Sequence, residues 1–327
     1  MKESLWGILI IALGLVIISI LLLVQNLTSA NEEDYYLGKE IMQSAMTEAA
    51  DYGNYQLTNG KIVMSREKFV EIFLRRFAES VTPNKTYQID FYQIYEYPPA
   101  ATVRIRTTTG TTNVKGNAVN VNVDTIISAI LVAGVGNDIR FMEIKDNFDT
   151  KSVISAIDLI GSTGATYDVN ADGKIDLEDA ATIEYFVYGR YLRGDINKDG
   201  NLTIEDATEM DKLISSKSYT LVDELICDVN NDKKLTSADS KAIRDYLNGK
   251  INTPITNYSK GDVNRDGRVN LQDAVLISNY ISNSSYFDNS QIALADFNGD
   301  GEVNNADLYS SDSKNPGIVE YIRRALQ

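Results

Sequence analysis

The sequence predicts a multidomain fold with an N-terminal transmembrane helix, a small α+β domain and an all-α region of repeats. Three observations support this prediction. Residues 5–24 carry no charge, apolar residues change from helical to alternating spacing within residues 31–148, and a twelve-residue acidic loop recurs five times after residue 167. A chain of 327 residues is long enough for two or three domains.

The N-terminal apolar segment has the length of a membrane span. Leu5–Val24 is a run of twenty uncharged residues, and twenty helical residues cross the roughly 30 Å hydrocarbon core of a bilayer. A cleaved signal peptide has a shorter apolar stretch of about 7–15 residues, although Thr28–Ala30 offers an alternative cleavage site. Lys2 precedes the run and acidic residues 32–34 follow it. We therefore predict an anchor at residues 1–30 of a single-pass cell-membrane protein, with the N-terminus inside and the C-terminal domains extracellular.

Residues 31–148 are predicted to form an extracellular α+β domain. Apolar residues recur at helical spacing over residues 37–49, and Ser65 is a suitable N-cap for a second helix whose apolar face ends at Phe77. Alternating apolar residues then indicate antiparallel strands that these helices cover. The strands are predicted near residues 87–91, 103–105, 119–123 and 139–144.

The order of these two segments resembles the layout of pilins and pseudopilins, in which a long apolar helix leads into a small α+β head. The resemblance implies a pilus-like or secretion-machine component. It is architectural only, because no Gly-Phe-Thr-Leu-Ile-Glu-like processing site is present and Glu3 lies before the apolar run. Residues 31–148 show no catalytic constellation, and Gly134–Gly136 is predicted to be a turn between strands. An enzyme in this region remains the third alternative.

The second half of the chain is built on the recurring loop. Every copy has Asp at positions 1, 5 and 12, Asn at position 3 and an aliphatic residue at position 8, and four of the five copies have Gly at position 6. The asparagine and aspartate of an ordinary turn do not require positions 8 and 12. The five loops are Asp168–Asp179, Asp195–Asp206, Asp228–Asp239, Asp262–Asp273 and Asp296–Asp307.

This pattern predicts calcium binding. Ca²⁺ takes six to eight oxygen ligands, and one loop supplies side-chain oxygens from positions 1, 3, 5 and 12 and a backbone carbonyl from position 7. Gly at position 6 permits the sharp turn between them. The predicted ligands are Asp168, Asn170, Asp172, Lys174 and Asp179; Asp195, Asn197, Asp199, Asn201 and Asp206; Asp228, Asn230, Asp232, Lys234 and Asp239; Asp262, Asn264, Asp266, Arg268 and Asp273; and Asp296, Asn298, Asp300, Glu302 and Asp307.

Composition excludes several classes of function. The net charge of −15 equals the number of Asp residues at positions 1, 5 and 12, three in each of five loops. Nucleic-acid binding is disfavoured because no basic stripe is present to neutralise phosphates. The chain has no His and a single Cys, which excludes His-based catalysis and His or Cys zinc sites. Cys227 is predicted to be a buried thiol, and the protein is predicted not to be an enzyme.

Helical stretches follow the first four loops, over residues 177–188, 204–214, 237–247 and 271–281. The stretch after the fifth loop is broken at Asn315–Pro316, and a terminal helix follows it. Residues 249–259 resemble a linker, so the second loop is expected to pair with the third and the fourth with the fifth. We therefore predict a three-loop unit at residues 149–250 and a repeat pair at residues 251–327.

The motif Asp-Val-Asn-x-Asp-Gly followed by one helix resembles the calcium-binding repeat of bacterial dockerins, with Asp in place of the EF-hand Glu at position 12. The resemblance covers about half the chain. It implies EF-hand-like loops that bind Ca²⁺, and docking to a cohesin-like module or another cell-surface protein. It also implies a setting in polysaccharide degradation. The alternative is a structural protein in which calcium makes the modules rigid.

Two departures from the dockerin pattern bear on function. Lys233 occupies the glycine position of the third loop, so we predict that this calcium site is the weakest. In dockerins, residues at positions 10 and 11 and along the following helix contact the partner, often with a Ser-Thr pair. Here none of these pairs is Ser-Thr, which predicts a different specificity. The pairs are Leu177-Glu178, Ile204-Glu205, Ser237-Ala238, Leu271-Gln272 and Asn305-Ala306.

Overall fold

The computed structural model describes most of the chain, with short gaps. Parts of two predicted segments lie outside the described residues, namely the turn at residues 134–136 and the linker at residues 249–259. The described residues are 2–58, 61–81, 85–114, 117–134, 138–145, 147–253, 258–282 and 285–327.

The N-terminal domain is a four-stranded antiparallel sheet covered by helices. Its strands follow one another in the order β1-β2-β3-β4, at the places where alternation predicts them. Helices α1 and α3 pack on one face of this sheet. The elements are α1 (Lys2–Ala49), α2 (Tyr52–Leu57), α3 (Arg66–Ser80), β1 (Thr86–Phe91), β2 (Ala100–Val114), β3 (Asn117–Ala133) and β4 (Ile139–Glu143).

Sequence features explain how the two helices fit this face. The Ser65 side chain caps α3 by accepting a hydrogen bond from the Lys68 amide at 3.3 Å. The buried face of α3 carries Phe69 and Phe73, whose rings meet the Phe91 ring of β1 edge-on. Gly38 lets α1 lie close to the sheet, because a Cβ there would stand 2.5 Å from Ile105 Cδ1.

The predicted membrane anchor at residues 1–30 is wrong. A span needs about 20 consecutive apolar residues, and no helix in the described part of the chain is long and apolar enough to cross a bilayer. Among the described side chains of α1, the buried apolar ones lie in its C-terminal part, where Met42 and Ala45 pack in the core of the N-terminal domain. The predicted single-pass location in the cell membrane, with the N-terminus inside and the C-terminal domains extracellular, is therefore contradicted as well.

The repeat region is all α-helical, and each of the five loops leads into a helix. Helices α7 and α10 enter the third and fifth loops and were not predicted from the spacers. Helix α5 continues as a π-helical turn at Tyr185–Gly189. The helices are α4 (Thr150–Asp158), α5 (Leu177–Glu184), α6 (Ile204–Ser216), α7 (Leu221–Cys227), α8 (Ser237–Leu247), α9 (Leu271–Ile281), α10 (Asn289–Ala295), α11 (Asn305–Tyr309) and α12 (Ile318–Ala325).

One hydrophobic core runs through the repeats. Helix α6 packs against α8, α9 packs against α11 and α12, and α5 packs against both α4 and α9. Cys227 is buried in this core as a free thiol. The contact between α5 and α9 joins the predicted three-loop unit to the predicted repeat pair, and the division near residue 250 stays a prediction.

The second face of the sheet is covered by the repeat region. Tyr95 lies beside Tyr185 of the π-helical turn, with ring centroids 4.7 Å apart, and Ile130 and Val132 of β3 join the same buried cluster. The backbone amide of Gln93 donates a 2.7 Å hydrogen bond to the backbone carbonyl of Arg190. The sheet therefore lies between its own helices and the first repeat.

Candidate metal sites and the helices that follow them

The five loops share one backbone conformation. In each loop, positions 4 and 6 have positive φ, which lets the chain turn twice within a few residues. Lys233 adopts φ 65° at position 6 of the third loop, where the other four loops have glycine. The position-4 residues are Ala171, Lys198, Asn231, Arg265 and Gly299, and the glycines at position 6 are Gly173, Gly200, Gly267 and Gly301.

The oxygens predicted to bind metal at positions 1, 3 and 5 point into the turn. In the first loop, the Asp172 amide donates to both Asp168 Oδ1 and Asn170 Oδ1 at 3.0 Å. The Gly173 amide donates to Asp168 Oδ2 at 2.9 Å, and the Lys174 amide donates to Asp172 Oδ1 at 2.9 Å. The other four loops repeat most of these hydrogen bonds. The backbone therefore places the three side chains around one centre.

The aspartate at position 12 ties the end of each loop to its start. Asp179 Oδ1 accepts from the Val169 amide at 2.9 Å, and its Oδ2 accepts from the Asp176 amide at 3.0 Å. The same carboxylate bridge is present in the other loops. Within the described ranges, no three acidic side chains converge closely enough to hold an ion by themselves. The complete ligand sets thus stay predictions.

Burial makes four of the loop carboxylates costly to ionise. It raises the pKa values of Asp179, Asp195 and Asp262 to about 7. The pKa of Asp273 is raised well above its usual range, first by burial and then by the negative charges of Asp266 and Asp262. A divalent cation in the loop would favour the charged forms and oppose these shifts.

The fourth loop gives the most direct test of whether a cation fits. Asp262 is fully buried, and its Oδ1 has no hydrogen-bond partner within the described part of the chain. A buried carboxylate oxygen without a partner is rare because its desolvation is uncompensated. Carboxylates, side-chain amides and backbone carbonyls are the donors that Ca²⁺ prefers, so the residues present fit this ion.

Comparison with known families supports the same reading of the loops. A family model described as the dockerin type I domain matches residues 193–255 and 260–310. The dockerin resemblance is confirmed for this region. Type I dockerin domains bind Ca²⁺ through EF-hand-like loops, so calcium is the cofactor of the dockerin region. The first matched segment contains the second and third loops, the other contains the fourth and fifth, and the first loop lies before both.

The N-terminal domain has its own match. Residues 1–134 match a family described as a domain of unknown function (DUF5411), and no curated protein matches the chain. The dockerin region is a non-catalytic docking module that supports binding to a cohesin module. The match to the N-terminal domain leaves the role of that domain open.

Two of the five helix starts that dockerins use for docking are covered by the chain itself. In the first loop, Leu177 is buried and the Glu178 carboxylate accepts a hydrogen bond from the Tyr97 hydroxyl of the N-terminal domain. In the fourth loop, Leu271 and Gln272 are both buried. The Gln272 amide Nε2 donates to the Tyr97 carbonyl at 3.4 Å. Tyr97 thus contacts position 11 of both loops.

The corresponding positions of the second and third loops are open. Ile204 at position 10 of the second loop is 54% exposed, and Glu205 beside it is exposed. Ser237 and Ala238 occupy the same positions of the third loop and are also exposed. Because α6 packs against α8, these open helix starts belong to one pair of helices. At positions 10 and 11 of the fifth loop, Asn305 is exposed and Ala306 is half-buried.

Sequence reasoning missed a buried polar cluster between the first and fourth loops. Glu184, at the end of α5, accepts hydrogen bonds from the Tyr188 hydroxyl and, at 2.6 Å, from the Leu271 amide. Arg268 donates through Nη2 to the Tyr191 carbonyl at 2.8 Å. A charged residue among the apolar positions of α5 was the available signal. Its partner Leu271 lies 87 residues away along the chain, and Arg268 lies 77 residues from Tyr191.

Proposed function

We propose that this protein docks a cohesin-like module through the paired helices α6 and α8. One observation supports this choice above the others: positions 10 and 11 are open in the second and third loops and covered in the first and fourth. The helices run antiparallel, since Ser240 bonds Asp211 and Arg244 bonds the Ala207 carbonyl. The pair therefore presents the exposed apolar side chain of Ile204 at one end and the small exposed residues Ser237 and Ala238 at the other. The chain as a whole then acts by binding rather than by catalysis, and the setting we propose is a polysaccharide-degrading assembly.

Polar bonds between α6 and α8 hold this surface in a fixed arrangement. On α8, Arg244 donates to the Asp211 carboxylate of α6 at 2.6 Å, and the Ser240 hydroxyl bonds the same side chain at 2.5 Å. These cross-helix bonds hold the two helices in fixed register. A fixed pair of helices loses less conformational entropy on binding than two independent ones.

The experiment is a calorimetric titration of the calcium-loaded full chain with a panel of purified cohesin modules. Wild-type protein should bind at least one module, and excess chelator should abolish that binding. The double variant Ile204→Arg with Ser237→Arg should lose about 100-fold in affinity, because it introduces a buried cation at whichever of the two helix starts the partner contacts.

Asn305→Arg provides the matched control, because it makes the same change at position 10 of the fifth loop. It should leave the affinity unchanged. An unchanged affinity of the double variant, or loss of binding in Asn305→Arg alone, would show that another surface docks the partner. Failure of every cohesin module to bind would reject cohesin docking itself.

A second candidate is a structural component whose modules are made rigid by calcium. The observation that favours it is the contact of Tyr97 with both the first and the fourth loops, which joins the two halves of the chain. Small-angle scattering would test it. Under this alternative, chelation should enlarge the radius of gyration by separating the halves, and no cohesin module should bind at any calcium concentration.

A further inference from the structure

A cavity of about 520 Å³ lies beside the third and fourth loops. Four cationic side chains line it, those of Arg193, Lys233, Lys260 and Arg268. Its apolar wall includes Leu225 and Phe297. The volume falls within the range of about 300–1,000 Å³ that small-molecule sites occupy. In a chain of net charge −15, such a concentration of cations requires an explanation.

The two arginines are buried and incompletely hydrogen-bonded. Arg193 is 8% exposed and Arg268 is 7% exposed. Arg193 donates through Nε to the Asp228 carbonyl at 2.7 Å, and its Nη2 contacts the same oxygen. Arg193 Nη1 and Arg268 Nε have no hydrogen-bond partner within the part of the chain that the structure describes. Each arginine therefore keeps one buried donor without an acceptor beside the cavity, and such donors are rare in folded proteins.

The two lysines extend the positive charge to the mouth of the cavity. Lys233 replaces the glycine of the loop pattern, and its ammonium lies 4.8 Å from the centre of the Tyr321 ring. Lys260 Nζ donates to the Asp296 carbonyl at 2.7 Å. Lys233, which departs from the calcium-loop pattern, therefore adds a cation to the lining of this cavity.

Of these four cations, Lys260 forms a salt bridge with Asp296 at 3.6 Å, and the other three form none within the described part of the chain. Glu224 and Asp228 are the acidic residues that line the cavity. The Asp228 carboxylate accepts from the Asp232 amide at 3.0 Å and from the Lys233 amide at 2.8 Å, so it is committed to its own loop. With calcium in the third and fourth loops, the local charge becomes more positive still.

We propose that this cavity binds an organic carboxylate with an apolar body. The carboxylate would accept hydrogen bonds from the free nitrogens of Arg193 and Arg268, since guanidinium groups suit carboxylate oxygens. The apolar body would lie against Leu225 and Phe297. This site is separate from the docking helices, and its ligand does not depend on a cohesin partner.

The test is a calorimetric titration of the calcium-loaded full chain with 4-phenylbutyrate and with its neutral amide, 4-phenylbutyramide. The acid should bind at least tenfold more tightly than the amide. Removal of calcium with a chelator should weaken binding of the acid. Equal affinity for acid and amide would overturn the proposal, because it would reduce the site to an apolar cavity.

Variants at the exposed lysines avoid disturbing the core. Lys233→Gln and Lys260→Gln should each weaken binding of the acid about threefold or more and leave binding of the amide unchanged. Lys234→Gln is the matched control, because Lys234 is exposed next to Lys233 and does not line the cavity. The proposal is wrong if Lys233→Gln and Lys260→Gln bind the acid as wild type does, or if Lys234→Gln weakens binding equally.

Discussion

The hydroxyl of Tyr97 donates a hydrogen bond to the carboxylate of Glu178, so the N-terminal domain directly contacts position 11 of the first calcium loop. Tyr97 is buried, and burial and the charge of Glu178 raise its pKa far above the usual tyrosine range. The pair is therefore a hydrogen bond between a neutral phenol and a carboxylate at the junction of the two halves.

Removing this hydroxyl should weaken the junction. Tyr97→Phe leaves the half-buried Glu178 carboxylate without this donor. A fully buried unsatisfied group costs about 1–3 kcal/mol, so we expect a loss at the lower end of that range. Urea denaturation in saturating calcium should show this loss of stability. Tyr246→Phe on the more exposed face of α8 is the control and should change stability by less than about 0.5 kcal/mol. Equal stability of the two variants would show that the bond contributes nothing.

The pKa of Glu184 predicts a pH-dependent stability. Burial raises it to about 7, partly offset by hydrogen bonds from Tyr188 and from the Leu271 amide. Because the folded-state pKa is raised, the stabilisation is fully present below the unfolded value of about 4.3 and is lost as the pH rises through 7. Glu184→Gln removes the ionisation and retains an acceptor for the Leu271 amide.

The difference in unfolding free energy between Glu184→Gln and wild type should therefore favour the variant at pH 8, by an amount on the order of 2–4 kcal/mol. At pH 4 this advantage should vanish. Denaturant curves at a fixed calcium concentration at each pH give the difference. A constant difference between the two pH values would indicate that Glu184 keeps an ordinary pKa.

Local sequence patterns were sufficient to predict where the loops lie and where many of the helices begin and end. The helix after the third loop spans Ser237–Leu247 and that after the fourth spans Leu271–Ile281, because the position-9 cap and the apolar spacing are both local. The entering helices α7 and α10 carried a local signal too. Thr220 with Asp223, and Asp288 with Gln291, form capping boxes.

Long-range burial could not be predicted in the same way. Leu271-Gln272 and Ile204-Glu205 are similar pairs at the same loop positions, yet the first is buried and the second exposed. The difference arises because Tyr97 and Glu184 cover only the first pair, and no local period encodes such a contact. The prediction of a membrane anchor was wrong because a run of uncharged residues does not by itself specify a membrane span. No helix among the described residues is long and apolar enough to cross a bilayer.

Calcium removal should unfold a large part of the repeats. Buried aspartates such as Asp195 and Asp262 become uncompensated without a cation, and each site filled at 100 times its dissociation constant contributes about 2.7 kcal/mol. Circular dichroism of the full chain should show a loss of helicity and a lower melting temperature in excess chelator, with magnesium as the ionic control. Unchanged helicity would rule out folding that depends on calcium.

The third loop should bind calcium more tightly once its lysine is removed. Lys233 holds φ 65°, a conformation that costs a non-glycine residue about 1–2 kcal/mol, and Gly adopts it freely. Lys233→Gly should therefore tighten one site by about fivefold or more in a calcium titration. Lys234→Gly, which removes an equal charge at position 7, should not tighten any site. If both variants tighten a site equally, charge rather than backbone strain limits affinity.

Gly189 lies where the π-helical turn packs closely against Tyr95 of the N-terminal domain. A Cβ at this position would lie 2.6 Å from the hydroxyl oxygen of Tyr95, whose side chain is fully buried and has little room to move. Gly189→Ala should therefore destabilise the protein by about 1–3 kcal/mol through overpacking. Gly164→Ala is the control, because its Cβ would meet Ile175 Cδ1 at 3.8 Å, an ordinary contact. Denaturant titration of both variants should give a loss for Gly189→Ala alone, and equal stability would mean that the two halves are not packed tightly at Tyr95.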